Sequence, residues 1–260
     1  KFNIMEININ CDLGEKSEIH SNHNDPDLLS IVNTASVACG FHAGDEETMS
    51  NVIKISKENQ VSIGAHPSFK DRKNFGRKRL NLSTIEIKKL IFDQYNILQN
   101  IADKHNEVVT HIKPHGALNN MACEDFELAS TLAETIKEID KNLIYLVPTG
   151  SKMEKAAEKL SLNIACEIFA DRNYEDDGNL VSRSKKNALI TNPDEAKEHV
   201  LKMVKNQSLN CFSGKQIPCK IDSICIHGDN DYALTTARII KNYLLENGFI
   251  LKPLNKMKKF

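Results

Sequence analysis

Acids, histidines and a lysine recur in this chain at one kind of position, at or just after the end of a short apolar, β-branched run. The first run, 6–11, leads through Asn10 into Asp12 and Glu15. The second, 36–38, leads into His42 and Asp45, and the third, 61–65, into His66-Pro67. The fourth, 108–112, ends at Lys113-Pro114-His115-Gly116. The sixth, 163–166, ends at Glu167 with Asp171-Arg172 beyond it, and the seventh, 223–226, at His227-Gly228-Asp229. Only the fifth, 143–147, delivers no ionisable side chain at its end. In parallel α/β folds the carboxyl ends of the strands gather on one face, where chemistry is built. These groups suit general acid–base catalysis, carbonyl polarisation, or a divalent metal held by Asp12, His42, His66 or His115. Each piece alone has a plainer reading: a histidine after a strand is commonly a satisfied polar group, and Asp45 suits a helix N-cap. The joint pattern is what argues for a site.

Arginine adds a second signal. The chain has six arginines against 28 lysines, so each arginine is a candidate for a task lysine performs poorly, such as bidentate oxyanion binding. Arg77 and Arg172 are the candidates for holding a carboxylate or phosphate, and Arg79 and Arg183 also stand out. The basic run 71–79 reads as a lid over an anion. No Gly-x-Ser-x-Gly elbow, Walker loop, GxGxxG after a strand or His-Glu-x-x-His is present, which disfavours a serine hydrolase and a standard nucleotide fold.

The elements that must position these residues follow from the pattern. Seven β-branched runs alternate with longer helical stretches, the signature of βα units around a parallel sheet. Ser83 with Glu86, and Ser151 with Glu154, read as capping boxes. Asn192-Pro193 reads as an N-cap with proline in the first helical position. The helix after Ser83 carries Ile87, Leu90, Ile91, Leu98, Ile101 and Ala102 on one stripe. No linker or repeat divides the chain. We therefore expect one α/β barrel domain over 1–260, with a doubly wound open sheet as runner-up. Residues 1–4 read as upstream sequence, 256–260 as a frayed tail, and 174–192 as a loop excursion. His20, His23, His105 and His199 are assigned to solvent, and His111, inside the fourth strand, is left open. Cys11, Cys39, Cys166 and Cys225 read as small buried hydrophobes rather than nucleophiles.

Composition excludes whole classes. The formal charge is −1, with 40% hydrophobic and 27% charged residues. That is ordinary globular composition, with no electrostatic footprint for nucleic acid or an anionic membrane. No apolar run approaches the roughly 20 residues a membrane helix needs, and no secretory signal is visible. Seven cysteines with no CxxC pair point to reduced thiols and a cytoplasmic location.

The motifs also carry a family resemblance. Asn10-Cys11-Asp12-Leu13-Gly14-Glu15, Ala38-Cys39-Gly40-Phe41-His42-Ala43-Gly44-Asp45, Gly64-Ala65-His66-Pro67, Phe75-Gly76-Arg77, Lys113-Pro114-His115-Gly116-Ala117-Leu118, Glu167-Ile168-Phe169-Ala170-Asp171-Arg172 and His227-Gly228-Asp229 occur in that order. Together they resemble the lactam-utilisation family, whose characterised members are 5-oxoprolinase A subunits, over about 7–248. Asn119 departs from the tyrosine usual after the Lys-Pro-His-Gly-Ala-Leu run. The resemblance implies an irregular TIM-like (β/α)7 barrel of the glycoside hydrolase/deacetylase type. It implies ATP-dependent opening of 5-oxoproline to glutamate, with ATP as its Mg²⁺ complex and with partner subunits B and C. On strand-end clustering and motif match together, Asp12 and Glu167 become candidate bases or Mg²⁺ ligands, and His42, His66 and His115 acid–base or metal groups. Lys113 would stabilise developing negative charge. Asn10, Glu15, Asp45, Arg77, Asp171, Arg172, His227 and Asp229 would bind or orient substrate and nucleotide. The alternatives are a metal-dependent deacetylase or amidohydrolase acting on a carbohydrate or other amide, and a non-catalytic lactam-binding subunit.

Overall fold

A computed structural model of the chain describes residues 5–18, 20–21, 23–227 and 232–260, so the expected upstream stretch 1–4 lies outside the described residues. The first βα units are β1 (Glu6–Leu13), α1 (Asp25–Leu29), β2 (Thr34–Ala38), α2 (Glu46–Glu58), β3 (Ser62–His66) and α3 (Thr84–Lys104). Then come β4 (Val109–Ile112), α4 (Gly116–Glu124), α5 (Phe126–Ile139), β5 (Ile144–Pro148), α6 (Lys152–Lys159) and β6 (Asn163–Phe169). After an excursion follow α7 (Pro193–Asn206), the short hairpin β7 (Ser208–Asn210) and β8 (Gln216–Pro218), β9 (Ser223–His227), α8 (Ala233–Glu246) and β10 (Ile250–Leu251). Strands β1 to β6 and β9 pair in parallel, and β9 returns to β1. The sheet therefore closes into an irregular α/β barrel of seven strands, as the resemblance implied, rather than an open doubly wound sheet.

The helices begin where the capping chemistry places them. Ser83 and Glu86 form a reciprocal capping box on α3, and the six apolar residues of its stripe are all buried. Asn192 caps α7 ahead of Pro193. Ser151 accepts from the Glu154 N–H, but the Glu154 carboxylate reaches back to Gly150 N–H instead of Ser151 N–H. A second set of contacts crosses the barrel interior, and it is polar. Asn8 donates to Thr34 Oγ1 at 2.9 Å and accepts from the Ser223 hydroxyl at 2.6 Å. Asn10 donates to Ser223 Oγ at 2.8 Å and to Glu167 Oε2 at 3.2 Å. Buried amides and hydroxyls that satisfy one another hold fixed geometry, so this network sets the floor on which the ionisable residues stand.

Four expectations are corrected. The tail is not frayed: Leu254 and Met257 are buried with Ile144, Leu146 and Ala165, and Lys258 N–H donates to Glu6 Oε2. Apolar side chains spaced three apart, at the start of a short 3₁₀ turn and just after it, give those lysine-rich residues a reason to dock. His199 is not solvated: its ring lies against Tyr174 and burial pulls it down to about 4. His105, half-buried, hydrogen-bonds through Nε2 to Ser50 Oγ at 2.7 Å. His23 is exposed, and His20 is half-buried with its ring 4.4 Å from that of Phe75. The open position, His111, is buried over Gly64, and burial lowers it to about 3. All seven cysteines are free, and burial pushes the Cys39 thiol up to about 12.

Two consequences can be measured. A Cβ on Gly64 would lie 2.2 Å from the His111 ring. Gly64→Ala is therefore expected to cost about 2–3 kcal/mol in urea unfolding, by overpacking. His111 and His199 stay neutral when folded, at about 3 and about 4, whereas an unfolded histidine titrates near 6.5. Above pH 6.5 neither contributes a pH dependence. Below it the unfolded chain takes up protons that the folded chain refuses, so stability falls as pH drops. At pH 5 each forfeits about 2 kcal/mol, a loss that urea midpoints at pH 7 and pH 5 should register.

Candidate functional site

The carboxyl ends of the barrel strands bring Asp12, His66, Lys113, His115, Glu167 and His227 into one place, with Glu15 two residues past β1. The innermost group is Lys113, 2% exposed. Its ammonium lies 2.8 Å from Asp12 Oδ1, 3.1 Å from Asn10 Oδ1, 3.1 Å from Glu167 Oε2 and 3.0 Å from Cys225 Sγ. Four acceptors surround three protons, so Lys113 is committed to holding its neighbours. Burial alone would lower it, but Asp12, Cys225 and Glu167 keep it well above the ordinary lysine value. The same contacts act in reverse on Asp12. Burial pushes that carboxyl up, yet His66 and Lys113 hold it at about 2. Glu167, buried and with Oε1 unpartnered, is raised because burial outweighs Lys113. Burial likewise pushes the Cys225 thiol up, against the pull of Lys113.

Beside this knot two imidazoles face each other. His66 donates from Nδ1 to the Lys113 carbonyl at 2.7 Å, and His115 from Nε2 to the Phe75 carbonyl at 2.9 Å. These tautomers, assigned from the hydrogen bonds, leave His66 Nε2 and His115 Nδ1 as acceptors only 3.0 Å apart. Two lone pairs at that distance require a proton or a cation. Glu15 Oε1 is 3.1 Å from His115 Nδ1 and 3.1 Å from His42 Nε2, while Asp12 Oδ2 is 3.5 Å from His66 Nε2. A proton on His115 Nδ1 satisfies both His66 and Glu15. Burial drives His66 down to about 3 and His42 to about 4, and it pushes Glu15 up. The charge of His115 and the hydrogen bonds from His115 and His42 overcome that push and hold Glu15 well below the usual carboxylate range. His42 stacks on His115 with ring centroids 3.9 Å apart.

The donors also fit a metal. Glu15, His42 and His115 offer atoms within 4.8 Å of one another, with His66 Nε2 adjoining. Bonds of about 2.0–2.1 Å at tetrahedral or square angles place ligands roughly 3–3.5 Å apart, close to the distances here. Imidazole and carboxylate donors suit zinc or iron better than magnesium. Asp12, Cys225 and His227 also lie within 4.8 Å of one another, but the Lys113 ammonium already occupies two of them and repels a cation.

Above the knot the pocket opens to about 540 Å³. His227 Nδ1 lies 2.9 Å from both Asp171 oxygens, and its ring stacks on Phe169. Burial would raise Asp171, but the charge and hydrogen bonds of His227, with Arg172 and Arg183 behind them, keep the carboxyl low. Arg77 and Arg172 line the pocket as expected. Asn119 lines it too, 8% exposed with Oδ1 unpartnered. Asp45 does not join the group. It is exposed and caps α2 by accepting from Thr48 N–H at 2.8 Å, the plainer of its two readings. His42 and Asn10 touch the site from behind, through Glu15 and Lys113, without lining the pocket. Asp229 lies outside the described residues. Sequence reasoning missed Thr149, Lys152 and Lys155 as lining residues; Arg79 and Arg183, which stood out only as arginines, line it as well. The signal for the first three was the fifth strand itself: its apparent blank is filled by the Ser151-capped turn that follows.

Comparisons with known proteins bear on the family and the fold. The LamB/YcsF family profile matches residues 7–259. The chain is 40% identical over 255 residues to the 5-oxoprolinase A subunit of Nitrobacter hamburgensis, covering 98% of this chain and all of that one. It is 41% identical over 254 residues to the 5-oxoprolinase A subunit of Clostridium beijerinckii, with coverage of 98% and 100%. Among solved structures, the lactam utilization protein from Thermus thermophilus aligns with a TM-score of 0.89 at 31% identity, over 95% of this chain and 99% of that one. The catalytic domain of a peptidoglycan N-acetylglucosamine deacetylase from Eubacterium rectale aligns with a TM-score of 0.56 at 12% identity, covering 100% and 92%, which speaks for the fold alone. No described helix is long and apolar enough to cross a membrane.

Proposed function

The chain belongs to the LamB/YcsF family, and from that membership we propose that it serves as the A subunit of an ATP-dependent 5-oxoprolinase, working with subunits B and C on 5-oxo-L-proline. The observation that carries the reading is the convergence of Asp12, Glu15, His66, Lys113 and His115 on one pocket in a chain that spans the full length of curated 5-oxoprolinase A relatives. Free cysteines throughout suit a cytoplasmic setting.

A five-membered lactam is a stabilised amide and a poor electrophile. Attack of its carbonyl oxygen on the γ-phosphorus of ATP breaks the bond to ADP and leaves an O-phosphorylated ring. Water then adds to the ring carbon, and the C–N bond breaks to give an acyl phosphate and a free amine. A second water releases inorganic phosphate and glutamate. Asp12 Oδ2, the oxygen not held by Lys113, takes the proton of the first water. A carboxylate at about 2 is a weak base, sufficient because phosphorylation has already made the carbon electrophilic. His115 gives its Nδ1 proton to the departing ring nitrogen. His66 Nε2, 3.5 Å from Asp12 Oδ2 and 3.0 Å from His115 Nδ1, returns the proton from one to the other. A divalent cation on Glu15, His42 and His115 would take the place of the His115 Nδ1 proton, and would supply Lewis acidity toward the lactam carbonyl instead of that proton transfer.

The test is 5-oxoproline-dependent ADP release by this chain, alone and with the partner subunits, before and after chelator treatment. Release that depends on 5-oxoproline supports the reading, and equal release without it overturns it.

A further inference from the structure

We propose that the N-terminus of α4, together with the Asn119 side chain, is the carboxylate subsite of this pocket, so that the site takes lactams bearing a carboxylate on the carbon next to the ring nitrogen and passes over unsubstituted ones. The inference rests on the reading of this pocket as a 5-oxoprolinase site and adds which groups hold the charged end of the substrate.

Donors without acceptors are the first argument. The N–H groups in the first turn of a helix have no partner inside it. On α4 the Ala117 N–H donates to the Gly76 carbonyl at 2.9 Å, and the Asn119 N–H to the His115 carbonyl at a long 3.4 Å. The N–H groups of Gly116 and Leu118 meet no acceptor among the described residues. No side chain caps this end, because the N-cap residue, His115, turns its ring to the Phe75 carbonyl and to His66. Gly116 lines the pocket at φ +59°, and a Cβ there would lie 2.7 Å from the Gly76 carbonyl oxygen, so the chain comes to the cavity as bare backbone. Open donors at the positive end of a helix suit an oxyanion.

Asn119 is the second argument. It is 8% exposed and lies one turn past His115, and a helical side chain leans back over the turn before it. Neither atom of its amide has a partner among the described residues. Oδ1 is shut inside the wall, so Nδ2 is the polar atom through which Asn119 lines the cavity. A carboxylate at this end accepts charge-assisted hydrogen bonds that no group of the protein takes.

Position is the third. His115 directly precedes Gly116, and its Nδ1 is the donor assigned to the ring nitrogen. In 5-oxoproline the carboxylate sits on the carbon next to that nitrogen, so an acid held at Gly116 and Asn119 brings the nitrogen to His115. The nearby acids are already compensated, Asp12 by Lys113 at 2.8 Å and Glu15 by His115 at 3.1 Å. Two arginines of the pocket are engaged elsewhere: Arg79 with Glu124 at 2.9 Å, and Arg172 through Nη2 with the Val181 carbonyl at 2.7 Å.

The test uses Asn119→Leu and the isosteric Asn119→Asp. In the assembled enzyme the KM for 5-oxoproline is expected to rise about tenfold or more in both, as for loss of a hydrogen bond to a charged group, with the KM for ATP unchanged. An unchanged KM for 5-oxoproline in either variant, or a rise in the KM for ATP instead, overturns the proposal. Calorimetry with the isolated chain separates this inference from the functional one. Cyclopentanecarboxylate, a ring and an acid without the amide, is expected to bind the wild type and to weaken about tenfold in both variants. The neutral 5-oxoprolinamide is expected to bind wild type and Asn119→Asp alike. That pattern upholds the subsite even where no 5-oxoproline turnover is found. Equal binding of cyclopentanecarboxylate by wild type and variants, none by the wild type, or an equal loss for 5-oxoprolinamide overturns it even where turnover is normal.

Discussion

Lys113→Met is expected to lower the stability of the chain by about 3–5 kcal/mol, because it strands two buried carboxylates. Asp12 and Glu167 are 8% and 1% exposed, and both face the Lys113 ammonium. Removing one partner of a buried ion pair leaves uncompensated charge, which costs far more than the pair itself contributes. The effect should appear in urea unfolding at pH 7. Part of the loss should return in Lys113→Met/Glu167→Gln, where one of the stranded carboxylates is gone. A single variant as stable as the wild type would show that Lys113 is not the positive centre of this knot.

His115→Asn is expected to reduce 5-oxoproline turnover by about 10²- to 10⁴-fold, the range for loss of a positioned acid–base group. Its Nδ1 is the site at which one proton serves both His66 Nε2 and Glu15 Oε1, at 3.0 and 3.1 Å. Asparagine keeps some polarity toward the Phe75 carbonyl but cannot carry the transferable proton. Circular dichroism should show a retained fold. Turnover near the wild-type rate in the assembled enzyme would remove His115 from the chemistry and, with it, the proton return through His66.

Much of this was legible because barrel strands are short and β-branched, and their ends are the places where a buried face meets solvent. That is why Asp12, His66, His115, Glu167 and His227 could be picked out without coordinates. The capping residues Ser83 and Asn192 were legible for an equally local reason: their side chains satisfy backbone donors two or three residues away. Asp45 shows the limit of the same logic, since a carboxylate after a strand is also a good cap, and here the cap is what the structure uses. Lys152 and Lys155 drew no role because they sit in the first turn of a helix, where lysine is usually solvated, and Arg183 stood out only as one of the few arginines. His199 and Met257 were misread for a different reason. Their burial comes from Tyr174 and from strands β5 and β6 of the barrel, distant partners that periodicity cannot see.

The central claim is that 5-oxoproline is bound and opened between the His66–His115 pair and Lys113. A crystal structure of this chain with 5-oxoproline bound tests it most directly. The lactam ring is expected in the pocket lined by Asp12, Glu15, His66, Lys113 and His115, with its carbonyl within hydrogen-bond reach of those groups. A lactam bound on another surface, with these side chains untouched, would contradict the account.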